Sequence, residues 1–161
     1  MADSSGDAGH DARMYYIASE MTYTDNVNDG DAGDTGAAVA TTALPLVRDV
    51  TLSLNGTVID VTSRNDYGWA KNIQGLRSWS ANVTLVDDPS DAAYIVLKNA
   101  FLNGTVLGFA ILSALTGSSS AYGLQGNAVV TSFERAEPMD GAQMMSMTLT
   151  GSRAAHWIGP V

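Results

Sequence analysis

VRDVTLSLNGTVIDVTSR, residues 47–64, sets the β character of this chain of 161 residues. Through residues 46–54 apolar side chains alternate with polar ones, and this period of two predicts a strand with one dry face. Asn55 and Gly56 follow, and because both residue types tolerate a positive φ, the pair predicts a hairpin turn. Residues 57–62 then form the predicted returning strand.

The next segment, residues 63–77, interrupts this alternation. It is polar and carries two large aromatic residues, Tyr67 and Trp69. It therefore predicts a long loop, which is uncommon within a compact domain unless it has a function. The alternation resumes in residues 78–86, where Trp79 falls on the apolar side.

A helix is predicted after this strand. Asp88 is a suitable N-cap and Pro89 suits the first helical position. Asn103 and Gly104 predict its end, because glycine commonly follows the last helical residue. Between these limits apolar residues recur at helical spacing and form the predicted buried stripe: Ala93, Leu97, Ala100 and Phe101.

Three more strands are predicted towards the C-terminus. Residues 105–112 are apolar on both faces, which favours a strand buried on both sides. Residues 126–134 and 142–150 also have strand character, with a turn at 137–141 between them. The order of elements predicts a mainly β fold, a β-sandwich or small barrel with one flanking α-helix.

Charge is distributed unevenly along the chain. The formal net charge is −9, and residues 1–36 hold eight acids against Arg13 alone, which leaves −2 for the rest. We therefore expect an acidic flexible N-terminal arm at 1–45, a folded domain at 46–152 and a C-terminal tail at 153–161. No basic patch is visible, which argues against adhesive binding to nucleic acid.

Composition and motifs also argue against catalysis. The chain has no cysteine, which excludes disulfides, thiolate metal sites and cysteine nucleophiles. His10 and His156 are isolated, and the acidic run 25–34 lacks the oxygen ligands that a calcium loop requires. We expect no enzyme activity, no metal and no cofactor. We find no signal peptide and no membrane-spanning segment, so we expect synthesis in a cytoplasm.

Small polar residues fall on one face of several predicted strands. Lysine and glutamate, which are usual on a solvated sheet, are missing from this set. The plain interpretation is an ordinary solvated face, and the functional one is the lining of a channel. The candidate lining residues are Asp49, Thr51, Ser53, Asp60, Thr62, Ser80, Asn82 and Thr84, with Ser78, Ser146, Thr148 and Thr150 on the same predicted face.

Four segments together resemble the major tail (tail tube) protein family of long-tailed phages and tailed viruses. They are VRDVTLSLNGTVIDVTSR at 47–64, GWAKNIQGLRSWSANVTLVDD at 68–88, SDAAYIVLKNAFLNG at 90–104 and GNAVVTSFERAEPMDGAQMMSMTLTGS at 126–152. The resemblance rests on the order of the elements and on the general pattern of residues in the four segments, since no short motif in them is diagnostic.

The resemblance implies a structural subunit that forms hexameric rings, which stack into a tube for genome ejection in the virion tail. It implies that the loop 63–77 reaches the adjacent ring through Arg64, Asp66, Tyr67, Trp69 and Lys71. Expected partners are further copies of the chain, a tape-measure protein, tail terminator and baseplate proteins, and DNA that passes without specific binding, with no membrane. Two alternatives stay open: the tube protein of a contractile injection or secretion system, and a carbohydrate-binding β-sandwich.

Overall fold

The computed structural model describes residues 13–21, 42–113, 122–153 and 155–158. The described chain contains one α-helix, α1 (Ala92–Asn103), and one 3₁₀ turn at Arg64–Asp66. Its strands are β1 (Arg13–Ile17), β2 (Thr42–Ala43), β3 (Val47–Asp60), β4 (Asn72–Val86), β5 (Leu107–Leu112), β6 (Gly123–Ala136), β7 (Met144–Gly151) and β8 (His156–Ile158).

The strands form one antiparallel sheet in the order β2-β1-β5-β6-β7-β4-β3. Strand β8 lies beside the first residues of β6, while β7 lies beside the rest of it. The sheet curls into a half-barrel. The predicted fold class, mainly β with one flanking helix, is confirmed, and the strands achieve it with a single curled sheet.

Helix α1 packs on the apolar face of this sheet. Ala93, Leu97 and Ala100 are buried against the core, as the helical spacing predicts. Phe101 differs from the prediction because it lies at the surface, where its ring stacks on Phe133. The helix ends as predicted, at a left-handed Gly104.

The helix begins later than predicted. Asp91, and not Asp88, is the N-cap, and its carboxylate accepts a hydrogen bond of 3.0 Å from the backbone N–H of Ala93. Asp88 instead accepts bonds from the backbone N–H and the hydroxyl of Ser90. The residues from Asp88 to Ser90 thus form a turn before the helix.

The predicted turn at Asn55-Gly56 is wrong. Strand β3 runs through both residues, which pair with Ser78 and Arg77 of β4. A register shift follows between Gly56 and Val58, so Gly56 lies at an irregularity within the strand and the chain does not reverse there. The true reversal lies at residues 61–71, and β4 begins at Asn72, inside the segment predicted to be a loop.

The predicted domain limits at residues 46 and 152 also need correction. Strand β1 lies between β2 and β5, inside the sheet, and its Tyr15 and Tyr16 are buried. Strand β8 extends the sheet into the predicted tail. The described parts of the arm and tail thus belong to the folded body, whereas His10 and the acidic run 25–34 lie outside the described residues.

A buried asparagine ties the N-terminal segment to the sheet. The Asn127 side chain accepts a hydrogen bond from Met21 N–H and donates one to Met21 C=O, both at 2.8 Å. Asn127 is fully buried, and Gly108 N–H donates to Ser19 C=O beside it. Because buried amides need partners, this clamp fixes residues 19–21 against β5 and β6.

Candidate functional site

The far half of the β3–β4 hairpin extends beyond the body of the sheet. Strand β7 pairs with β4 only from Ser80 to Val86, so the earlier residues of β4 pair with β3 alone. We call residues 54–78 the distal hairpin. The predicted contact loop, residues 63–77, lies entirely within the distal hairpin. It forms the end of this projecting two-stranded arm and part of its returning strand.

The distal hairpin exposes an unusual amount of apolar surface. The side chain of Trp69 is 80% exposed and that of Leu76 is 85% exposed. Exposed large apolar side chains also occur along the rest of the hairpin: Leu54, Val58, Ile59, Val61, Tyr67 and Ile73. So many large exposed apolar side chains in one short segment indicate an interaction site.

The end of the hairpin has a defined turn. The Asp66 carboxylate accepts hydrogen bonds from the Ser63 backbone N–H at 2.5 Å and from the Ser63 hydroxyl at 2.8 Å. These bonds favour the ionised form and lower the pKa of Asp66 below its usual value. Tyr67 follows with a left-handed backbone at φ 50°, uncommon for a bulky residue, and its side chain is 94% exposed.

A second carboxylate closes the base of this turn. Asp60 accepts hydrogen bonds from the hydroxyl and the backbone N–H of Thr62, which lower its pKa. The Thr62 hydroxyl in turn accepts a bond of 2.9 Å from the Lys71 backbone N–H. Both acids of the distal hairpin are therefore engaged within its own turn, whereas Arg64 and Lys71 form no ion pair with any described residue.

The predicted polar face is present on β3, β4 and β7. Cross-strand pairing places its residues in three rows. The rows are Asp49–Thr84–Ser146, Thr51–Asn82–Thr148 and Ser53–Ser80–Thr150, with the β3 residue given first. The Thr148 hydroxyl donates to the Asn82 side chain at 2.9 Å, which links two of the strands directly.

Two predicted lining residues do not join these rows. Asp60 and Thr62 lie near the end of the hairpin, and Asp60 points to the opposite side of β3 from Asp49, since the two positions differ by an odd number in an alternating strand. Conversely, β6 extends two rows with Ser132 and Glu134, which the sequence reasoning missed. The alternation of β6 contains this signal, but the register shift between Val130 and Ser132 interrupts it.

The outer edge of β3 is open. Among the described residues, no strand pairs with β3 on the side away from β4. An unpaired edge of fourteen residues presents a row of free backbone donors and acceptors, to which another chain can add. The open edge and the first part of the distal hairpin lie on the same strand, β3.

This arrangement is that of a self-associating β subunit, with a projecting apolar hairpin, an open sheet edge and a polar face. A family model described as "Phage tail tube protein" matches residues 27–155, most of the chain. The chain therefore belongs to the phage tail tube protein family and is a structural subunit of a virion tail. A comparison with curated protein sequences finds no match.

Solved structures share the fold at low sequence identity. A chain from the virion of a native gene transfer agent particle is 20% identical with a TM-score of 0.65, and the match covers 96% of this chain and all of the other. A chain of the SPP1 tail tube is 16% identical with a TM-score of 0.67, covering 96% of this chain and 80% of the other. A chain of the anti-feeding prophage baseplate is 7% identical with a TM-score of 0.56, covering 98% and 99%.

Two further kinds of functional feature, a metal site and a membrane-spanning helix, were sought among the described residues. They contain no group of three His, Asp or Glu side chains placed to hold a metal ion. No helix among them is long and apolar enough to cross a membrane.

Proposed function

We propose that this chain assembles into hexameric rings that stack into a tube and that the tube conducts the genome during ejection. The observation that carries the proposal is the distal hairpin, whose large apolar side chains are 39–94% exposed. Burial of one such side chain stabilises an assembly by about 1.5–3 kcal/mol. A projecting arm of this kind suits contact with the next ring, and Tyr67 and Trp69 would be its aromatic anchors.

The open β3 edge supports ring closure. Addition of a neighbour's strand to this edge would continue the sheet from subunit to subunit, and a closed ring leaves no edge exposed. A similar chain lies in the tail of an empty gene transfer agent particle refined with C6 symmetry, with 20% identity and a TM-score of 0.64. That symmetry supports six subunits in each ring.

The polar face would then line the channel. Most of its residues are short and leave the passage unobstructed, while Asp49 and the longer Glu134 give it negative charge. Like charge keeps DNA from adhering to the wall, so DNA would pass without specific binding. Asp60 and Thr62 lie on the hairpin, so we assign them to the contact between copies and not to the channel.

The remaining parts of the proposal follow from this passive role. The subunit would have no catalytic activity and no cofactor, and it would assemble in the host cytoplasm. A tape-measure protein would occupy the lumen during assembly, and terminator and baseplate proteins would meet the two ends of the tube. These partners are the ones that the resemblance to tail tube proteins implies.

Negative-stain electron microscopy of the concentrated protein tests the proposal. We expect stacked rings or tubes with a central channel from the native chain. The variant Leu76→Ala with Trp69→Ala should give dispersed subunits or single rings. Leu102→Ala, which trims an exposed leucine on α1, should assemble as the native chain does. Native protein that remains monomeric when concentrated, also with tail initiator proteins added, would contradict the proposal.

The tube of a contractile system is the second candidate. A chain of the anti-feeding prophage baseplate shares the fold, as the tail tube chains do, so the fold is compatible with both candidates. Binding of a sheath protein to the outside of assembled tubes would separate the two. A carbohydrate-binding β-sandwich would contact its ligand through exposed aromatic side chains. Of the three tryptophans, Trp79 cannot do so because it is buried in the core.

A further inference from the structure

The two ends of the β3–β4 ladder have opposite charge. In a chain of net charge −9, the distal hairpin has three cations, Arg64, Lys71 and Arg77, against two acids. Both acids, Asp60 and Asp66, already accept hydrogen bonds inside the hairpin. The cations are exposed and form no ion pair with described residues, so the hairpin presents positive charge beside its apolar side chains.

The other end of the same strands is strongly acidic. We call residues 46–49, 86–91 and 134–143 the acidic end. They hold together through hydrogen bonds, because Val86 N–H donates to Leu46 C=O and Asp87 N–H donates to Gln143 C=O. The acidic end has seven acids against two cations, a net of −5: Asp49, Asp87, Asp88, Asp91, Glu134, Glu137 and Asp140 against Arg48 and Arg135. Without Asp49 and Glu134, which the proposed function places in the channel, the net is still −3.

The cations of the acidic end do not neutralise it. Arg135 is already held by Asp87, by Glu137 at 3.0 Å and by Gln143 at 2.9 Å. The Asp87 side chain is buried, and its Oδ1 accepts no hydrogen bond from any described residue. A second copy cannot reach this buried atom, so the acids of this end that a partner can contact are the exposed ones, among them Glu137 and Asp140.

The acidic end also has apolar contact surface. Met139, in the turn between β6 and β7, is 100% exposed, and a flexible thioether packs well against aromatic rings. The exposed aromatic residues of the hairpin lie at the opposite end of the strands. Strand β4 has fifteen residues and rises by about 3.3 Å per residue, so roughly 45 Å separates the two surfaces and one copy cannot join them.

We infer that the distal hairpin of one copy docks on the acidic end of a second copy in the next ring. Arg64 and Lys71 would face Glu137 and Asp140, while Tyr67 or Trp69 would pack on Met139. Such a contact is head-to-tail, so it repeats without limit and gives the tube one direction. The inference rests on the proposed stacking of rings and names the two surfaces that meet.

Charge reversal at each end tests this pairing. The variant Arg64→Glu with Lys71→Glu makes the hairpin acidic, and Glu137→Lys with Asp140→Lys makes the opposite end less acidic. At about 0.1 M salt, where charges act over about 10 Å, each double variant should raise the critical concentration for tubes about tenfold or more. All four changes in one chain set the two new acids of the hairpin against the two new lysines of the acidic end, so opposite charges again face each other locally and tubes should return.

The controls separate this inference from the proposed function. Lys98→Glu reverses one exposed charge on α1 and should leave tube growth unchanged, and circular dichroism should show that every variant is folded. If native tubes form and both double variants grow equally well, or if the fourfold variant fails while folded, the pairing is wrong and the stacked tube stands. If the native chain forms neither rings nor tubes, both proposals fail.

Discussion

The two halves of the β3–β4 hairpin have similar apolar residues and opposite burial. In the half beside β7, Trp79, Ala81 and Val83 are buried by the core of the same chain. In the distal half, Leu76 and Val58 are exposed. The difference shows that apolar content alone does not place a residue in the core. Under the proposed stacking of rings, another copy would cover the distal half.

The largest expected effect is on the free energy of unfolding, when Trp79 of the buried half is compared with Trp69 of the distal half. Trp79 is 5% exposed, lies against Gly126 and Gly151, and donates to Arg153 C=O at 3.1 Å. Trp79→Ala should lower the free energy of unfolding by about 3–5 kcal/mol, because it leaves a large cavity. Trp69→Ala should change it by less than about 0.5 kcal/mol. Urea denaturation of the monomers measures both, and equal losses would refute the division between the two halves.

A second pair of variants compares buried Asn127, which holds the backbone of Met21, with exposed Asn72. Asn127→Ala leaves the N–H and C=O of Met21 without partners and should cost about 2 kcal/mol or more in urea denaturation. Asn72→Ala, at the exposed start of β4, should cost less than about 0.5 kcal/mol. An Asn127 variant as stable as the native chain would show that the buried amide does not hold the N-terminal segment.

For tube growth, unlike monomer stability, the distal half of the hairpin should matter more than the half beside β7. Leu76→Ala should leave the monomer as stable as the native chain, yet raise the critical concentration for tube growth roughly tenfold, since it removes about 1.4 kcal/mol of burial between copies. Leu102→Ala removes the same side chain from an exposed position on α1 and should change neither quantity. Sedimentation across a concentration series measures the effect, and identical curves for both variants would place the contact elsewhere.

The smallest effect is expected from pH at the end of the hairpin. The pKa of Asp66 is lowered by its bonds from Ser63, so ionised Asp66 stabilises the turn at pH values above the ordinary carboxyl pKa of about 4. This contribution should be lost as the pH falls through the lowered pKa. The amide proton shift of Ser63 in NMR should follow this titration, and Asp66→Asn should abolish it. Asp140→Asn, in the turn between β6 and β7, should leave the titration unchanged.

Local patterns predicted the elements that lie over the core. The alternation in 142–150 matches β7 within two residues, and the helix ends at the predicted glycine. Most of the polar face was also predicted, because the same period of two places Asp49, Thr51 and Ser53 on one side. In these elements the burial comes from the chain itself, so the pattern of polar and apolar residues reports it.

The same reasoning failed where the stabilising partner is distant. The apolar run 14–17 is compatible with a short strand, but nothing in its sequence indicates that Tyr16 pairs with Phe109 inside the main sheet. The Asn55-Gly56 pair has a strong turn preference, but the register shift with β4 accommodates it within a strand. Opposite this shift, a side chain at Gly75 would meet Thr57 and Ile59, so the glycine allows the close approach.

A helical cryo-EM reconstruction of assembled tubes tests the central claim most directly. We expect Trp69 and Leu76 to be buried against a neighbouring copy, and Asp49 and Thr51 to face the channel. A reconstruction in which the distal hairpin projects into solvent on the outside of the tube, with the polar face turned away from the lumen, would contradict it.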